Sequence, residues 1–220
     1  MKKIIILACI LLFSSCSILF PRQFDRKPAN FMVEDLWFTS KLDDNKDVKY
    51  LLNPTQLNYF AESKDSYHPQ LVEFFSEEFK NNTYSKENYK NADGKIIIPF
   101  TLDYDLSKEY IENLQKTTDL DYIILSKILS AAQINNPNVS QYKHFIYRSN
   151  VLAGSVVFFK VYDLKNNTIA LELNCKSSVY DDPDFNFDTN QYEDNIRIAT
   201  YKSESQLIKK CFKRILRRIK

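Results

Sequence analysis

The stretch VLAGSVVFFKVYDLKNNTIALELNCKSSVY, residues 151–180, decides the fold. Val151–Leu164 and Thr168–Tyr180 are rich in Val, Ile, Phe and Tyr and contain no proline, so each reads as a long strand. Lys165-Asn166-Asn167 between them has the composition of a hairpin turn. The rest of the chain has to cover this hairpin.

Downstream, DDPDFNFDTNQYE (residues 181–193) sets Asp182, Asp184, Asn186, Asp188 and Glu193 at positions one, three, five, seven and twelve of a calcium-loop template. Phe187 occupies the position where the sharp turn needs glycine, and a strand precedes the segment where the template has a helix. The segment therefore reads as an exposed acidic loop without a metal site. Phe185, Phe187 and Tyr192 are its candidate partner contacts. Beyond it, Ser203 and Gln206 form a capping-box signature. Leu207, Ile208, Cys211, Phe212, Ile215, Leu216 and Ile219 then recur at helical spacing. The opposite face holds Lys209, Lys210, Lys213, Arg214, Arg217 and Arg218. That face is either a solvated surface suited to a helix C-terminus, or a seat for anionic lipid or an acidic partner.

Upstream, Phe31–Thr39 and Val48–Leu52 read as strands around a polar turn. His68–Asn81 is helical in its spacing, and Ile96–Phe100 reads as a short strand entered through Asp93-Gly94. A stripe of Leu106, Tyr110, Ile111 and Leu114 predicts a second helix, and Tyr122–Leu129 another strand. The expected class is α/β (α+β): a small sandwich with a mixed sheet of about five strands flanked by three helices, the last amphipathic.

Two segments carry a resemblance. LQKTTDLDYIILSKI (114–128) is similar to the helix-into-strand segment, L-G-x-D-Y-V-x-x-G-x-I, of a group of envelope proteins. The group comprises the curli-secretion lipoprotein CsgG, the penicillin-binding-protein activator LpoB and the N-terminal domain of TolB. VVFFKVYDLKNNTIALE (156–172) resembles their v-v-D-x-x-T-G-x-i hairpin through Asp163, Leu164 and Thr168. Thr118–Asp119 and Ser126 stand where the group has its two glycines. The resemblance spans residues 68–218 and implies a small α/β domain that binds other proteins, with no catalytic residue.

The N-terminus addresses location. Lys2 and Lys3 precede an apolar run, Ile4–Phe13, too short to span a bilayer. Phe13-Ser14-Ser15-Cys16 resembles the lipobox of bacterial lipoproteins, with Phe in place of the favoured Leu. By that resemblance residues 1–15 are removed as a signal peptide and Cys16 is lipidated; Pro21, Pro28 and scattered charges make 16–30 a tether, and 31–220 reads as a single domain. The alternative is an ordinary signal peptide with a bystander cysteine. Each acyl chain supplies about 0.8 kcal/mol per buried CH₂, and more than one gives stable anchoring. Ser17 after the cysteine favours the outer membrane, facing the periplasm.

Without residues 1–15 the chain has 28 basic and 28 acidic residues, so no general nucleic-acid footprint exists. Two glycines, Gly94 and Gly154, provide neither a dinucleotide fingerprint nor a P-loop, and His68 and His144 make no zinc motif. No cofactor is implied. Cys175 and Cys211 would both lie in an oxidising compartment, either as a disulfide or as two buried thiols. The expected function is a membrane-anchored, non-enzymatic adaptor or assembly factor binding another envelope protein. The alternative is an accessory lipoprotein of an ABC-type lipid-trafficking or transport system.

Overall fold

A computed structural model describes residues 24–38, 42, 47–57, 67–78, 82–86, 88–90, 93–98, 102–138, 140–182, 184–193 and 198–220. The hairpin is its spine. β7 (Val151–Asp163) and β8 (Thr168–Tyr180) pair antiparallel along their length. In the turn Asn167 has φ of 53°, in the left-handed region that asparagine tolerates. The Asp163 carboxylate fixes the same turn, accepting the backbone N–H of Asn166 at 2.9 Å and its side-chain amide at 2.7 Å.

β2 (Asn30–Phe38) lines the outer side of β8, antiparallel. On the other side of β7 come β6 (Tyr122–Ser130), antiparallel, then β3 (Lys49–Leu52) and β5 (Asn82–Ser85), both parallel to their inner neighbours. β4 (Gln56–Leu57) adds to β6 beyond β3, giving a seven-stranded mixed sheet in the order β2-β8-β7-β6-β3-β5. Four helices cover it: α1 (His68–Glu78), α2 (Lys108–Thr117), α3 (Ala131–Ile134) and α4 (Glu204–Ile219). The α/β class is as expected, with short strands added at the β6 side.

The alternation of β7 builds two cores. Val157, Phe159 and Val161 face one way, joined by Cys175 of β8 and covered by Phe75 of α1 and Phe212 and Ile215 of α4. Val156, Phe158 and Tyr162 face the other way, beneath Ile111 and Leu114 of α2, Ile134 of α3 and Phe145. The sheet is thus the middle of three layers. The capping box of α4 is present: Gln206 N–H donates to Ser203 Oγ, and Ser203 N–H to Gln206 Oε1.

Two expectations need correction. Ile96–Phe100 is not a strand over its described part: Ile96 makes a single bridge to Lys90 and is exposed, while Ile98 is buried. Pro99, next in line, has no N–H to donate to a ladder. Phe24–Arg26, within the expected tether, form β1, which pairs in parallel with β11 (Ile198–Thr200). Lys27 extends this contact, donating its N–H to Thr200 O at 3.0 Å and pairing with Asp181 at 3.1 Å.

Candidate partner-binding surface

β2 ends the sheet, with β8 its only strand neighbour among the described residues. Its inner side follows from alternation: Phe31 and Val33 pack on the core beneath α4. At Asp35 the register slips, so that Trp37 falls opposite Glu172 and Leu36 becomes the extra residue of a bulge. Alternation fails there. Leu36, Trp37 and Phe38 are consecutive and all exposed, Trp37 at 58%, with Met32 exposed further back. Register places Met32 beside Lys176 and Trp37 beside Glu172, on the face away from α4. An exposed apolar row on the strand that ends the sheet among the described residues is a seat for another chain.

Beside this row the sheet carries a charge cluster around one buried lysine. Lys160 on β7 is 6% exposed and reaches Asp105 at 2.7 Å and Glu172 at 3.3 Å, with its ammonium 4.2 Å from the centre of the Tyr104 ring. Burial pulls the lysine down, but the hydrogen bond to Asp105 and the Glu172 charge outweigh it and hold Lys160 above its usual value. Tyr104 donates to Glu172 at 2.9 Å, and burial together with that carboxylate pushes the phenol far up. Both shifts favour a charged Lys160 and a neutral Tyr104, and Glu172 of this cluster is the register neighbour of Trp37. Nearer Met32, the Asn174 amide donates to Glu34 at 3.2 Å while its buried Oδ1 has no partner.

The acidic segment folds as a second small sheet. β9 (Asp184–Asn186) and β10 (Gln191–Glu193) pair antiparallel, with Phe185 opposite Tyr192 and Asp184 opposite Glu193. Phe187 stands in the turn at 88% exposure, and Asn190 takes a left-handed φ of 54°. The side chains of Phe185 and Tyr192 lie outside the described residues, as does Cys16. Asp184 and Glu193, which the calcium-loop template would wrap around an ion, are thus cross-strand neighbours. Among the described residues no group of three or more His, Cys, Asp or Glu is placed to hold a metal.

Cys175 of β8 and Cys211 of α4 meet inside the first core as buried free thiols. The hydrogen bond with Cys211, and then burial, push the Cys175 thiol well above its usual range. The exposed row on β2 is not singled out by reading Phe31–Thr39 as one strand. Its signal is local: three successive apolar residues, Leu36-Trp37-Phe38, cannot all face one side of a regular strand.

No family model matches the chain, and no curated protein matches it. Among solved structures, the PelC dodecamer from Paraburkholderia phytofirmans is distantly similar, at 8% identity and a TM-score of 0.38 over 69% of this chain and 83% of that one. The LpoB C-terminal domain from Escherichia coli aligns at 8% identity and a TM-score of 0.37, over 64% of this chain and 88% of that one. A putative neuraminyllactose-binding hemagglutinin homolog from Helicobacter pylori aligns at 11% identity and a TM-score of 0.30, over 83% and 88% respectively. No helix among the described residues is long and apolar enough to cross a membrane.

Proposed function

We propose that this chain is a lipid-anchored envelope protein, held at the periplasmic face of the outer membrane, that docks another envelope protein without catalysing a reaction. The observation that carries the proposal is the exposed Leu36-Trp37-Phe38 row on the sheet-edge strand β2. Exposed tryptophan and phenylalanine side chains bring a large contact area to a partner. Phe187 at the hairpin turn is a second contact in the same reading.

Crosslinking in intact cells followed by mass spectrometry tests it. Trp37→Ser with Phe38→Ser should reduce recovery of the partner at least about tenfold, the scale of losing an aromatic hot spot. Both side chains are mostly exposed, so the melting temperature should hold within a few degrees, about the shift of a surface change. Undiminished recovery would remove β2 from the interface. Turnover of peptidoglycan or phospholipid by the purified protein would overturn the non-catalytic assignment.

A further inference from the structure

Charge is unevenly placed in this domain. α4 with Lys220 carries seven Lys or Arg and one acid, while residues 16–203 carry 21 basic against 27 acidic residues. A chain that is neutral as a whole therefore has one strongly cationic helix on an anionic body. Part of that charge is neutralised locally: Arg218 pairs with Asp35, and Lys220 with Glu78 at 2.6 Å. Lys209, Lys210, Lys213 and Arg217 are exposed and have no acidic partner among the described residues.

The surface is also amphiphilic. Between α1 and α4 runs a solvent-open groove of about 430 Å³, with Phe74 and Leu216 in its lining beside Lys213, Arg217 and the Lys220–Glu78 pair. Apolar surface bordered by cations suits a molecule with an anionic head and a greasy body.

Connectivity points to the membrane as the source of that molecule. β1 pairs in parallel with β11, Phe24 opposite Ile198, so the chain leading back to Cys16 leaves the domain beside a strand that begins six positions before α4. Eight Cα–Cα steps lead from Cys16 to Phe24. Fully extended they span at most about 29 Å, against about 24 Å for the length of α4. The β1–β11 pair, and the domain with it, is thus confined near whatever surface holds the anchor. This step alone rests on the lipid-anchor proposal. We infer that α4 lays its basic outer face on the anionic phospholipid headgroups of the anchoring membrane. β2 then presents Met32 and Trp37 on the side of the sheet turned away from the bilayer.

Vesicle co-sedimentation tests the inference without the anchor. A chain beginning at Ser17 keeps every described core residue. It should sediment with phosphatidylethanolamine vesicles containing phosphatidylglycerol, not with phosphatidylethanolamine alone, and salt should release it. Lys209→Gln, Lys210→Gln, Lys213→Gln and Arg217→Gln together should lower partitioning at least about tenfold, since each cation near an anionic surface contributes measurably. Lys108→Gln with Lys116→Gln on α2 should leave it unchanged. Equal binding to both vesicle types, or an unaffected quadruple variant, would overturn the inference. So would binding to polyglutamate without binding to vesicles, which would give the face to an acidic protein. If the quadruple variant unfolds, the lipid and salt dependence of the unaltered chain still decides. An unmodified Cys16 would sink the anchor while leaving this result standing.

Discussion

Replacing Phe159 by alanine is expected to lower the unfolding free energy by about 3–5 kcal/mol, the range for emptying an aromatic site in a core. Phe159 lies in β7, between Ser126 of β6 and Leu173 of β8, and is fully buried. Its ring is nearly parallel to that of Phe75 on α1, with centres 6.4 Å apart. Strands bonded on both sides cannot move in to fill the space, so a cavity remains beneath α1 and α4. Domains of this kind hold only about 5–15 kcal/mol in total, so the loss is a large share. Urea denaturation should show a lower midpoint with an unchanged slope. A cost below about 1 kcal/mol would mean that the helices do not close on the sheet at this point.

Gly154→Ala is the second large effect. A Cβ at Gly154 would sit 2.6 Å from Tyr147 Cε1 and 3.0 Å from its Cζ. The ring has little room to retreat. Its hydroxyl donates to Ser177 O at 2.9 Å, and Asn135 holds the Tyr147 backbone from both sides at 2.8 and 3.1 Å. Relief has to come from shifts in β7 or in the Tyr147 segment, at a cost of about 1–3 kcal/mol. In a Tyr147→Ala background the same change should cost much less, and a double-mutant cycle gives that difference as a coupling energy. A Gly154→Ala cost that persists in full without the tyrosine ring would place the strain elsewhere.

How much of this was legible in the sequence depended on how strongly local and tertiary preferences agreed. The hairpin 151–180 and the final helix were readable because composition, turn residues, cap and period all point to one structure in each. β5 was not, because Asn82–Ser85 is polar and becomes a strand only by lying against β3. β4 is two residues long and exists because β6 outruns β3; Asn53-Pro54-Thr55 interrupts that edge, and Thr55 joins Ser126 at 2.8 Å across the gap. β1 depends on β11, more than 170 residues away, and no local pattern encodes such a pairing. On the candidate surface, Phe187 was anticipated from its place in a polar connection. Trp37 was not, since its exposure follows from a bulge that only the register with β8 reveals. The Lys160 cluster was equally hidden: a lone lysine in an apolar strand says nothing of the Asp105 and Glu172 carboxylates that keep it charged.

The two surfaces divide the work by position. α4 covers one face of the sheet, and Met32 and Trp37 follow the register of β8 onto the other. A short tether, with the basic face of α4 on the headgroups, would hold the first face down and leave the second turned outward. Because the anchor would keep the domain near the membrane, a partner there would meet it at raised effective concentration, so even a modest interface would suffice.

Everything about location turns on Cys16. Intact-mass and N-terminal peptide analysis of the protein purified from membranes tests the account most directly. The mature chain should begin at Cys16 and carry acyl groups there, with the modification lost in Cys16→Ser. A chain that begins at another residue, or an unmodified Cys16 in membrane-derived protein, would contradict it.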